Sequence, residues 1–176
     1  MSAFETIQIF ALAAANAIAP ELSHREDHKQ IANAIAIVIT SSPPLFRDDE
    51  SKLRTAALFI SIGYREGSLR ARVVGDCTES NPGEKCKGRP RSFCFLQIHE
   101  SNGGSPAMND DLTLCVRASY ALLRTSFKVC PAWPIAHYAE GGEKACSSRR
   151  AQRISNDRVA LAKRIYEKVF VTNRGK

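Results

Sequence analysis

The chain has 176 residues, 44% hydrophobic and 24% charged, enough for one domain with a sizeable core and too apolar for a disordered polymer. Its 25 Lys and Arg against 18 Asp and Glu give a net charge of +7, which favours polyanionic partners such as cell-wall polymers, anionic lipid surfaces or nucleic acid without choosing among them. No run is long and apolar enough for a transmembrane helix.

Helical periodicity dominates the first third of the chain. Residues 3–18 predict a first helix. With Glu5 and no Lys or Arg ahead of its apolar stretch, the segment reads as a helix packed on the domain and not as a secretory signal. Residues 24–40 predict a second helix, stopped by Ser41-Ser42-Pro43-Pro44. His24 and His28 stand four apart, but Arg25 occupies the place where a zinc-protease helix carries Glu, so the pair is assigned to a solvated charged face. Asp48-Asp49-Glu50 sets acids at the start of a third helix, which extends to about Arg65. Leu53, Ala56, Ala57, Ile60 and Tyr64 build its apolar face, and Glu66 falls where the chain turns at Gly67.

From Gly67 to Pro106 the chain is rich in Gly, Pro, Asn and Ser, interrupted by the β-prone pieces ARVVG (71–75) and SFCFLQI (92–98). Asp110 or Asp111 can cap a fourth helix, with Leu112, Cys115, Val116, Ser119, Leu122 and Leu123 on one face. AWPIAHYA predicts a short helix ended by Gly141-Gly142. A last helix is expected to start near Ser155, with Leu161, Ile165 and Val169 in one stripe. The expected fold is α+β, mainly α-helical, with a small irregular β region. No repeat or linker divides the chain.

Six cysteines, at 77, 86, 94, 115, 130 and 146, are confined to the second half and form no tight zinc spacing, so they predict a disulfide framework and an oxidising compartment. If residues 111–127 form one helix, Cys115 lies about 18 Å along the axis from its end, whereas the three residues on to Cys130 span only about 10 Å. Those two should therefore not pair. Sequential pairing is expected: Cys77–Cys86, Cys94–Cys115 and Cys130–Cys146. Disulfides without an evident signal suggest export by another route, such as release by lysis or delivery in a particle, or else a trimmed chain.

Glycan cleavage needs an acid that holds its proton near neutral pH, and burial against apolar surface is the simplest way to provide one. Glu66, between an apolar helix and Gly67, fits that requirement. The order that follows is YREGSL (64–69), then Gly75-Asp76, then SFCFLQIH (92–99), an amphipathic helix, and AHYAEGG (136–142). This series resembles the lysozyme-like lytic transglycosylase superfamily, which includes soluble lytic transglycosylase and goose-type lysozyme-like domains. There a Glu-Ser-Gly element is followed by Ser-x-Gly-x-x-Gln-Ile and later by Tyr-Asn-Ala-Gly. Glu66 matches the catalytic acid, Ser92, Gln97 and Ile98 the second element, and Tyr138 and Gly141 the third. Gly67-Ser68 reverses the usual Ser-Gly, Cys94 replaces a Gly, and Ala139-Glu140 replaces Asn-Ala.

The resemblance implies a single lysozyme-like domain over 1–176, with N-terminal helices (1–45) packed on a catalytic core (46–172) that carries a substrate groove. It implies cleavage of the β-1,4 bond between N-acetylmuramic acid and N-acetylglucosamine in peptidoglycan, with Glu66 as acid and then base while the sugar's own 6-hydroxyl closes a 1,6-anhydro ring. Ser92, Gln97 and Tyr138 would bind substrate or position the acid. Asp76 is the candidate second acid, which would make the enzyme a hydrolysing muramidase. His99 and His137 flank the proposed groove, and Trp133 is assigned to the core. Expected partners are peptidoglycan glycan strands and anionic cell-wall or outer-membrane polymers. No metal or cofactor is expected, and no nucleic acid, since the basic clusters lack interleaved aromatics. The protein is expected to be monomeric and extracytoplasmic: periplasmic, secreted or particle-delivered. The alternative of another class is a cationic wall-binding or membrane-perturbing module without catalysis.

Overall fold

The structure is a computed structural model that describes residues 1–21, 24–73, 90–142 and 144–174, with backbone alone for 171–174. Among them are six α-helices and one two-stranded sheet. The helices are α1 (Ala3–Ile18), α2 (Arg25–Ser41), α3 (Ser51–Gly67), α4 (Leu112–Val129), α5 (Ala136–Glu140) and α6 (Arg149–Arg174). The antiparallel strands are β1 (Ser92–Phe93) and β2 (Ile98–His99), with Ser92 opposite His99 and Phe93 opposite Ile98. No described helix is long and apolar enough to cross a membrane.

The helix starts follow from local chemistry. Ser2 and Glu5 form a reciprocal capping box on α1, Ser2 Oγ accepting from the Glu5 N–H and Glu5 Oε2 from the Ser2 N–H. Asp111 caps α4 by accepting from the Leu114 N–H at 3.0 Å. Helix α6 begins six residues before the expected Ser155. That serine is buried inside the helix, and its hydroxyl accepts from the Ile135 N–H. Of ARVVG, Ala71–Val73 forms no strand; Val74 and Gly75 lie outside the described residues.

Helix α3 is the centre of the molecule. Every residue from Thr55 to Gly63 is buried, so the single apolar face expected from the sequence is in fact burial on all sides, as for a helix surrounded by others. It packs against α1, α2 and α6, while α4 packs on α2 and α5. One continuous core draws on α1, α2, α3, the β-hairpin, α4 and α6. A satellite cluster of Cys130, Ala136 and Ala151, with Trp133 and Cys146 against it, lies under α5.

Two close approaches lock the β-hairpin to α3. A Cβ on Gly63 would fall 2.5 Å from Phe95 Cδ2, and one on Gly67 would fall 2.9 Å from the Phe95 carbonyl oxygen. The two glycines, one helical turn apart, thus form the groove in which Phe95 lies fully buried. Cys94 is bonded to Cys115 of α4, with Cα atoms 6.4 Å apart, and Cys130 to Cys146, 5.3 Å apart. The expected Cys77–Cys86 pair lies outside the described residues.

The assignment of His24 and His28 to a solvated face is corrected for His28, which is buried between α1 and α2 with Nδ1 2.9 Å from Asn16 Oδ1. Its Nε2 has no partner among the described residues. Burial pushes its pKa down and nearby His24 adds to this, while Asp27 and Glu21 oppose it.

Two predictions follow from this packing. Gly67→Ala should lower stability by roughly 1–3 kcal/mol in urea titration, because backbone and not a movable side chain meets the new methyl. His28 has a lower pKa folded than its unfolded value of 6.5, so the unfolded state takes up the proton first as pH falls. Stability is therefore full above that value and declines below it. The urea midpoint should drop from pH 7.5 to pH 5 more steeply in wild type than in His28→Gln.

Candidate active site

Glu66 lies in the last turn of α3. The helix ends as the Ser68 N–H donates to the Tyr64 carbonyl at 3.1 Å and the Leu69 N–H to the Gly63 carbonyl at 3.2 Å. Both Ser68 (φ 52°) and Leu69 (φ 56°) adopt the left-handed conformation. Fully buried Leu69 sits against Gly63, which holds this unfavourable geometry in place.

Facing that helix end is the turn Cys94-Phe95-Leu96-Gln97, closed by the Gln97 N–H donating to the Cys94 carbonyl at 3.0 Å. Cys94 (φ 59°) and Gln97 (φ 51°) are also left-handed. The four non-glycine residues with positive φ among the described residues therefore all lie at this junction. Cys94 takes a conformation that glycine adopts at least cost. It is held there by its disulfide and by donation of its N–H to Asn109 Oδ1 at 2.7 Å.

Tyr138 reaches the same turn from α5. Its hydroxyl donates to the Leu96 carbonyl and accepts from Ser119 Oγ, both at 2.9 Å. Three buried serines fix this segment: Ser119 through the phenol, Ser126 by accepting from the Tyr138 N–H at 3.1 Å, and Ser155 by accepting from the Ile135 N–H at 3.1 Å. Burial pushes the Tyr138 phenol pKa up; the Ser119 hydrogen bond opposes this, the Glu66 charge adds to it, and Arg158 opposes it. The phenol therefore lies within the electrostatic reach of Glu66 but is not hydrogen-bonded to it.

The expected apolar box around Glu66 is corrected. Its Oε1 accepts from Arg158 Nη2 at 2.6 Å and Nε at 3.1 Å. The side chains are 29% and 12% exposed respectively. This is a charge-assisted, doubly bonded contact on one oxygen, and Oε2 has no hydrogen bond among the described residues. Arg158 is itself held by Ser61, whose hydroxyl donates to its carbonyl at 2.7 Å, and lies 3.5 Å from Asp157, which pairs with Arg65 at 2.7 Å.

Sequence reasoning missed Arg158, although a signal existed. Residues 158, 162, 165 and 169 step by four, three and four, so Arg158 extends the buried stripe of Ala162, Ile165 and Val169. A cation on such a stripe requires a partner.

The other expected site residues are placed less favourably for direct contact with substrate. Gln97 Nε2 donates to the Cys94 carbonyl at 2.8 Å and the Val73 carbonyl at 3.2 Å, tying the segment after α3 to the hairpin. Ser92 is buried in β1. His99 Nδ1 lies 2.8 Å from Ser101 Oγ, and His137 Nδ1 is buried without a partner among the described residues. Asp76 lies outside the described residues. A hollow of about 330 Å³ opens beside the hairpin, lined by Phe93, Glu100, Gly104 and Pro106 among others; Glu66 is not part of its wall. The described residues contain no group of His, Cys, Asp and Glu able to hold a metal ion.

The chain is thus a mainly α-helical, disulfide-braced protein with a glutamate–arginine pair at a strained helix–hairpin junction. A scan against models of protein families finds no match, and searches of curated proteins and of solved structures find none either.

Tyr138→Phe removes the hydroxyl on which both the Leu96 carbonyl and Ser119 depend. It should lower stability by roughly 1–3 kcal/mol in chemical denaturation, the usual effect of leaving buried polar groups unpaired.

Proposed function

We propose that the chain is a lysozyme-like peptidoglycan-degrading enzyme that cleaves the β-1,4 bond between N-acetylmuramic acid and N-acetylglucosamine with Glu66, as a lytic transglycosylase. The observation that supports this reading is the convergence of three elements far apart in sequence on one junction: the end of α3 with Glu66, the hairpin with Gln97, and Tyr138. Backbone strain gathered at that junction is a further pointer to function.

In this mechanism Arg158 steadies Oε1, and Oε2 carries the proton to the glycosidic oxygen. As the bond from C1 of N-acetylmuramic acid breaks, its C6 hydroxyl attacks C1 and returns a proton to Glu66. The ring closes and no water is consumed. Tyr138 and Gln97 act by positioning, since their hydroxyl and amide N–H groups hold backbone carbonyls. The hydrolysing muramidase would instead need a carboxylate to orient water, a role for which Asp76 is the candidate. The two disulfides support an oxidising, extracytoplasmic location, and the net charge of +7 supports approach of a monomer to anionic wall or outer-membrane polymers.

A second reading is a wall-binding module without catalysis. It is favoured by the Arg158 contact, because a carboxylate engaged by a guanidinium through two hydrogen bonds must be released or reprotonated before it can act as an acid.

The test is release of soluble fragments from purified walls, weighed by mass spectrometry. The enzymatic reading predicts anhydro products from wild type and at least about a hundredfold less from Glu66→Gln. Products heavier by one water would identify the muramidase. Wall binding without release by either protein would select the module.

A further inference from the structure

We infer that the outward face of α4 is a docking surface for the headgroup region of an anionic phospholipid bilayer. The inference goes beyond the enzymatic reading, because none of the side chains involved touches Glu66. Between Leu112 and Val129 the helix contains no Asp or Glu. Its buried side is formed by Cys115, Val116, Ser119, Tyr120, Leu123 and Ser126. The opposite side carries two parallel rows.

The first row is Arg117, Arg124 and Lys128, at steps of seven and four residues, all exposed. At about 100° per residue the three fall within an arc of roughly 40° and span about 16 Å of helix axis. None makes an ion pair among the described residues. On α6, by contrast, Asp157 and Glu167 interrupt the length and three of the cations, Arg150, Arg158 and Lys163, lie within 4 Å of an acid, although Arg149, Arg153 and Arg164 are exposed there as well.

The second row is Leu114, Ala121, Thr125 and Val129, again at steps of seven and four and all exposed. Leu114 is 39% exposed and Val129 47%, so two of the large exposed hydrophobic side chains mark the two ends of this one helix. A point ligand would need a concave site. What α4 presents is a ridge on which a positive row about 16 Å long runs beside a row about 22 Å long that is apolar at both ends. Such a ridge is complementary to a flat anionic interface, in which cations meet phosphates and short apolar side chains enter the headgroup boundary. The apolar row decides between lipid and a soluble anionic polymer, which offers nothing to bury Leu114 and Val129.

The experiment is co-sedimentation of the full chain with vesicles of phosphatidylcholine alone and with about one third phosphatidylglycerol, with circular dichroism confirming that each variant is folded. Wild type should bind only the anionic vesicles, and less so as salt rises. Each interfacial cation contributes roughly fivefold to partitioning, so Arg117→Glu/Arg124→Glu/Lys128→Glu should reduce binding by about a hundredfold or more. Leu114→Ser/Val129→Ser, which leaves the charge unchanged, should also weaken it. Arg149→Glu/Arg153→Glu/Arg164→Glu on α6 changes net charge by the same amount and should retain most binding. Equal losses from the two triple variants would overturn the inference in favour of net charge alone. No binding to anionic vesicles, no effect of Leu114→Ser/Val129→Ser, or binding to a soluble polyanion with none to vesicles would overturn it as well.

Discussion

The burial of Phe95 in the groove made by Gly63 and Gly67 is the contact on which the arrangement of this protein depends. Helix α3 has no side chain at either glycine, so the hairpin can approach until the Phe95 carbonyl and ring occupy the space of two missing methyl groups. That approach brings Leu96 to Tyr138 and Gln97 to the segment after α3. It also sets Glu66, next to Gly67, at the junction. Disulfide Cys94–Cys115 then fastens the same turn to α4, so the hairpin is tied on three sides despite having only two residues in each strand. A sheet so small has little stability of its own. Its geometry is imposed by the surrounding helices.

The electrostatics of the junction follow from where its charges are held. Arg158 belongs to the buried stripe of α6, so its guanidinium is largely removed from water and must find an acid; Glu66 meets it at 2.6 Å and Asp157 lies farther off at 3.5 Å. Removing Glu66 would leave this guanidinium only the longer Asp157 contact, which makes the pair more consequential to break than its net contribution suggests. The neighbouring Arg65–Asp157 pair is more exposed, and such pairs contribute little. Any chemistry at Glu66 is therefore conducted beside a fixed positive charge, with Oε1 bonded to Arg158 and Oε2 without a hydrogen bond among the described residues.

Much of the helical framework was legible in the sequence because periodicity and stops are local signals. Ser41-Ser42-Pro43-Pro44 ended α2, Asp111 capped α4, and Cys115 was steered away from Cys130 by the length of that helix. The misreadings share one physical origin. His28, Ser155 and Arg158 are polar residues on otherwise apolar stripes, at three, four or seven positions from buried neighbours such as Ile31, Ile35, Ala162 and Ile165. Read by residue type they belong outside; read by helical phase they belong inside. The partners that make burial tolerable, Asn16, Ile135 and Glu66, come from other elements and leave no local trace. The Phe95 groove was hidden for a similar reason, since two glycines a turn apart in α3 acquire meaning only when the hairpin lies on them.

Phe95 and the glycine groove are energetically one unit. A double-mutant cycle on Gly63→Ala and Phe95→Leu tests it, since the leucine withdraws the ring edge that the new methyl would strike at 2.5 Å. Measured by urea unfolding, each single change should destabilise, and the double variant should be more stable than their sum by about 1 kcal/mol or more. Strict additivity would contradict the account, because it would mean that the hairpin is not seated on α3.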